Sequence, residues 1–335
     1  MNWSSVKNLL IAILIAANLF LLYNIARQDR TRGYIDENEV SGAVELLAER
    51  GLTVKEESIP LEKFKVPVYE SPYSDEYYTE VAEALTDSKR EMLYTLPEGG
   101  ISITTQDGSS IEFDTEFGFR YVKNGISDID AYTEITADSF ASIARNNGEI
   151  AAARMKLLSE EAENFLNSRV PDDYVLTAKT TDGCYDDQND ITYLLSQQVL
   201  DGYDVYSHYA VCVFSGDELI FSHGRWYFAP FESEYNTDLC DQVNILFTDL
   251  ATLRAGTVSL SDETVDSTPE DTRSDAAQSA DNTLPTVVDM SACYVIYWNA
   301  DKTALFFIPA WQIEHNNGLI IVYNAANSTV YSSVQ

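Results

Sequence analysis

Three histidines, His208, His223 and His315, are the residues best suited to move a proton or hold a metal near neutral pH. Metal binding wants them four apart on one helix face, or beside carboxylates. None has that company. His208 sits in a β pattern, His223 precedes Gly224 and His315 flanks a turn, so polar surface or sheet positions account for all three. Acidic pairs such as Glu160-Glu161 and Asp186-Asp187 have the chemistry of glycosidase carboxylates, yet acids are so common here that choosing two is arbitrary. Neither Asp186-Asp187-Gln188-Asn189-Asp190 nor Asp128-Ile129-Asp130 follows the calcium-loop pattern, and both read as solvated turns. Cys184, Cys212, Cys240 and Cys293 stand far apart without a C-x-x-C, which argues against zinc or redox chemistry. Their even number leaves two disulfides open, while Cys212, inside an apolar strand, reads as a buried thiol. The nucleophile elbow, the phosphate loop and the dinucleotide fingerprint are all missing. No catalytic residue, cofactor or metal is expected, and the chain reads as a non-enzyme.

The 335 residues carry a formal net charge of -33, a field that repels nucleic acid and anionic surfaces and favours a basic partner. Hydrophobic residues make up 45% and there are 21 tyrosines, enough for a large, sheet-rich core.

The elements that position these groups begin with residues 8–26, an uncharged apolar run of the length that spans a bilayer. Bulky residues end it at Leu21-Leu22-Tyr23, unlike the small residues of a cleavage site, so it reads as an uncleaved anchor. Ser5, Asn8, Ala12, Ala16, Leu19 and Tyr23 share one stripe of that helix, and Ala12 with Ala16 forms a small-x-x-x-small pair. Asn18 lies elsewhere on the wheel, where an amide gains from a partner. These seven are the candidate contacts to a partner helix; a plain lipid-facing anchor is the alternative. Arg27, Arg30 and Arg32 outweigh Lys7 across the run, which by flanking charge alone places the body in the cytoplasm.

Beyond a juxtamembrane linker at 27–37, helix and strand patterns alternate in three rounds. The first, 38–123, has helices at Glu39–Glu49 and Asp75–Thr86 and strands at 52–59, 63–69, 101–105, 110–114 and 117–122. The second, 137–230, has helices at 137–146 and 149–167 and four strands. The third, 236–335, has a helix at 236–253 and four strands, interrupted by a polar, acidic stretch at 256–285 too poor in apolar residues to fold. The expected fold class is α+β: a single N-terminal transmembrane helix after a short tail at 1–7, then repeated helix plus antiparallel meander-sheet modules.

Met1-Asn2-Trp3 with Lys7, Asn18 to Tyr23, Val44 to Leu47, Gly51 to Val54, Ile59-Pro60, Tyr203 to Phe214, Gly224-Arg225-Trp226, Pro309 to Ile313 and Val322 to Ala325 fall in a familiar order. As a set they resemble the YycH/YycI family, closest to the YycI branch: membrane-anchored regulators of the essential cell-wall sensor histidine kinase. The stretch 256–285 and the basic flank at 27–32 depart from that pattern. The resemblance implies a single-pass cell-membrane protein with the bulk of the chain extracytoplasmic. It implies a sensor histidine kinase as partner, and with it a paralogous accessory protein. The alternative is an exported propeptide-like binding or inhibitor module for a peptidase or cell-wall ligand, since Tyr323-Asn324-Ala325 looks like the closing strand of such domains.

Overall fold

The computed structural model describes residues 35–62, 66–72, 75–97, 99–126, 149–167, 176–228, 231, 233–237, 239–256, 284–299, 301 and 303–334. Among them are four α-helices and fourteen strands, the strands joined in one mixed hydrogen-bonded network. The chain divides into two units. The larger comprises Val66–Thr237 with Cys293–Pro309; the smaller comprises Met1–Lys65, Asp238–Ala292 and Ala310–Gln335.

In the larger unit eight strands follow the order β2 (Arg90–Thr95), β3 (Ile101–Thr105), β4 (Ser110–Phe113), β5 (Gly118–Val122), β9 (Glu218–Arg225), β8 (Tyr203–Ser215), β7 (Ile191–Leu200) and β6 (Leu176–Asp186). Period-two alternation decides the faces. On one face Ala210, Cys212 and Phe214 of β8 join Ile103, Ile111 and Phe113. On the other, Val211 and Val213 join Val122, Ile220 and Phe221. Burial on both sides explains why this stretch of β8 reads as an unbroken apolar run. Helix α2 (Asp75–Leu85) covers the first face with Tyr78, Val81, Ala82 and Leu85, and α3 (Glu149–Asn167) covers it with Leu158, Ala162 and Leu166. Each such side chain stabilises the fold by about 1.5–3 kcal/mol when fully buried. Gly224 belongs here because a Cβ on it would lie 2.1 Å from the Tyr209 carbonyl oxygen.

β8 changes partner along its length. Ala210–Ser215 pairs antiparallel with β9, whereas Asp204 and Val205 pair in parallel with Cys293 and Tyr294 of β11 (Val287–Trp298). Between these stretches Ser207 takes a positive φ of 59° and the register to β7 shifts. Such an irregularity frees backbone carbonyls, and Gln197 captures two of them, donating to Val205 at 2.6 Å and His208 at 2.8 Å. β11 then leads to β12 (Ala304–His315), whose first half pairs with β1 (Val68–Pro72), and β1 pairs in turn with β10 (Ser233–Tyr235).

In the smaller unit α1 (Glu37–Glu49) starts at Asp36, whose carboxylate accepts the Asn38 amide at 2.9 Å. Helix α1 packs with α4 (Gln242–Ala255), which is capped by Asp241 in the same way. The second half of β12 pairs with β13 (Ile320–Asn324), and β13 with β14 (Val330–Val334). Gln242, fully buried, donates to the Pro60 and Glu62 carbonyls, and the Trp311 indole donates to the Cys240 carbonyl at 3.1 Å.

These pairings correct the expected fold class. The chain is not a series of helix-plus-meander modules: β5 pairs with β9, β11 with β8 and β12 with β1, so strands from separate rounds share one mixed sheet. Alternation tells a strand which face to bury and leaves its neighbour undetermined. The strand expected at 52–59 is instead an isolated parallel bridge, Val54 to Val287, followed by a 3-10 turn, Glu56–Ser58. Among the described residues no helix is long and apolar enough to cross a membrane. The expected single-pass membrane placement is corrected accordingly; its segment, 8–26, lies outside the described residues, as do the helix expected at 137–146 and nearly all of 256–285.

Candidate functional site

Among the described residues β2 is a strand with one neighbour, β3, and it is exposed along its whole length. Helix α2 ends at Leu85, where Thr86 turns its hydroxyl back to the Ala82 carbonyl and Asp87 takes a positive φ of 48°. Glu83 then seeds the strand: its carboxylate accepts the Arg90 amide and meets the Lys89 ammonium, both at 3.0 Å. Those partners hold the Glu83 carboxyl below its ordinary range, the Arg90 amide contributing most. At the other end a tight turn closes the β2–β3 hairpin through Gly99 and Gly100, with φ of 86° and 87°. Only glycine fits at position 100, since a Cβ would stand 2.3 Å from the Phe113 carbonyl oxygen.

The turn fixes which backbone groups face where. The Leu96 amide donates to the Gly100 carbonyl, and the register pairs Tyr94 with Ser102 and Met92 with Thr104. By the alternation of antiparallel pairs, Met92 and Tyr94 point their amides and carbonyls at β3, while Leu93 and Thr95 point theirs away. Among the described residues β2 ends the strand order, so those four groups face outward. All six residues of β2 are exposed, Met92 by 45%, Leu93 by 43% and Tyr94 by 52%. Leu93 lies on the face of buried Ile103, and Met92 and Tyr94 lie on the opposite one. Glu80, Asp87, Glu91 and Asp107 are exposed acids of this neighbourhood, against the exposed bases Lys89 and Arg90.

Asp249, His315 and His208 are shut in, whereas His223 of β9 is partly exposed. In the smaller unit Asp249 of α4 accepts the Tyr323 hydroxyl of β13 at 2.8 Å, and Nε2 of His315, closing β12, lies 3.5 Å from the same carboxylate oxygen. The Asp249 and His315 side chains have no exposure at all. Burial first, and the Asp249 charge second, push the Tyr323 hydroxyl well above its ordinary pKa. An acid–base pair without access to solvent cannot meet a substrate, so this cluster ties α4 to the sheet. His315, read from sequence as a turn-flanking surface residue, is a core residue. In the larger unit burial lowers His208 to about 4, and its Nδ1 lies 3.0 Å from the Tyr206 carbonyl oxygen. None of the four cysteines is in a disulfide: Cys184, Cys212 and Cys293 are buried and Cys240 is partly exposed. Burial pushes the Cys212 thiol up to about 12, far from reactivity at neutral pH.

Ser5, Asn8, Ala12, Ala16, Asn18, Leu19 and Tyr23 lie outside the described residues. Sequence reasoning passed over β2. The signal was there in Met92-Leu93-Tyr94-Thr95 running into Pro97-Glu98-Gly99-Gly100, a short apolar strand before a turn.

No family model matches the chain, and no curated protein matches it. A solved structure of an uncharacterized protein from Eubacterium rectale is similar to it, with a TM-score of 0.46 and 10% sequence identity over 85% of this chain and 90% of that one. A likeness that distant carries no argument about function, and none of these comparisons bears on the YycH/YycI resemblance.

Proposed function

We propose that this protein is a non-catalytic regulator that works by binding another protein, and that its partner is a two-component sensor histidine kinase of cell-wall homeostasis. The observation that carries the reading is the exposed edge of β2, which offers backbone hydrogen bonds beside Met92, Leu93 and Tyr94. The choice of a kinase rests on the YycH/YycI resemblance. The burial of Asp249, His315 and His208 supports a binding role over a catalytic one, because two of the three histidines are spent inside the fold.

A regulator of this kind shifts its target by binding one signalling state better than the other. The coupling expected of such a contact is about 5–150-fold in the kinase equilibrium. The test is the autophosphorylation rate of the purified, membrane-reconstituted kinase, titrated with the full chain. A saturable change in rate supports the reading. An unchanged rate at saturating protein overturns it.

A further inference from the structure

The exposed strand also constrains what binds it. We infer that β2 receives one extended, basic segment of a partner protein, which adds beside it as a further strand; this deepens the regulator reading and rests on it. Natural sheets guard their edges with bulges, prolines and lysines. Here the register shift, Lys89 and Arg90 are confined to the start of the strand and Pro97 lies beyond its end, so Met92–Thr95 between them remains regular. Among the described residues three more strands have one neighbour: β10 has only three residues, the Ala178 and Thr180 amides of β6 are taken by Asn167 and Glu163, and β14 is half-buried at Tyr331 and Ser332.

The outward amides and carbonyls of Leu93 and Thr95 set the register of the arriving strand. Residues opposite these two exchange hydrogen bonds with them, and alternate side chains cover Leu93 on the α2 face and Met92 with Tyr94 on the other. Charge selects the occupant. A second copy would bring another net charge of -33 to a chain of the same sign, at a strand where the exposed acids Glu80, Asp87, Glu91 and Asp107 outnumber the exposed bases Lys89 and Arg90, whereas a basic segment is drawn to it.

The test uses the full chain and two fluorescent hexapeptides of equal charge, one alternating lysine with valine and one alternating lysine with glycine. The strand-forming peptide is expected to bind at least about tenfold more tightly. Leu93→Pro and Thr95→Pro each delete an outward amide while sparing the β3 ladder, and each is expected to cost about tenfold or more in that binding. Peptide addition is also expected to protect the Leu93 and Thr95 amides of the unaltered protein from exchange, a readout that stands even if a proline variant misfolds. Equal affinity for the two peptides, or binding indifferent to both prolines, overturns the inference. So does a dimer in sedimentation with those amides already protected, which would make the occupant a second copy. A Leu93→Pro chain that still alters kinase autophosphorylation sinks this inference and leaves the regulator reading intact; peptide binding with an unresponsive kinase does the reverse.

Discussion

In the smaller unit Asp249, His315 and Tyr323 are polar groups removed from water and packed against one another, whereas in the larger unit β2 holds backbone polar groups out to water with no described strand joined to them. The contrast separates two uses of polarity. A buried polar group contributes to stability only through its partners, and losing one partner leaves the desolvation cost uncompensated. An exposed backbone group contributes almost nothing to stability, because water already satisfies it, and so is free to bind. Substitutions in the first region should therefore move folding, and those on the outer side of the second should move binding alone.

The largest expected effect is at the buried cluster. His315→Ala removes a fully buried ring packed beside Asp249 and leaves its space unfilled, and is expected to destabilise the protein by about 2–5 kcal/mol in urea unfolding. A loss below about 1 kcal/mol would remove the contrast. Tyr94→Pro comes next, since the Tyr94 amide points at β3; it should cost about 3 kcal/mol.

A pH effect of similar size is expected from His208. Burial lowers its folded pKa to about 4 from an ordinary 6.5, so as pH falls the unfolded chain takes the proton first. Its contribution is present above pH 6.5 and is lost as pH falls from 6.5 through 4, amounting to roughly 3 kcal/mol. Unfolding curves of the unaltered chain and His208→Asn should converge by that amount over this window; parallel curves would contradict it. Tyr323→Phe keeps the ring and removes one donor to a carboxylate, for a loss of about 1.5–3 kcal/mol. The smallest effect sharpens the contrast most. Leu93→Pro, one residue from Tyr94, should shift stability by less than about 1 kcal/mol, because the amide it deletes points away from the sheet.

Much of the local structure was legible in the sequence. Helix α3 spans Glu149–Asn167 and β3 spans Ile101–Thr105, the bounds that apolar spacing and the flanking turn residues indicate. The pairing was not legible. β11 meets β8 in parallel at Cys293–Asp204 across many intervening residues, and nothing in an alternating pattern names a partner that distant. Asp249, His315 and Tyr323 are scattered likewise, and only the packing of α4 on the sheet brings them together. β2 was hidden for a local reason: Arg90 and Glu91 open it with charge, and the apolar signal is confined to Met92, Leu93 and Tyr94.

The central claim is that one side of β2 is bonded and the other open, residue by residue. Amide hydrogen exchange in the free full-length protein reads this directly. The account predicts slow exchange at Met92 and Tyr94 and fast exchange at Leu93 and Thr95; equal protection at all four amides would contradict it.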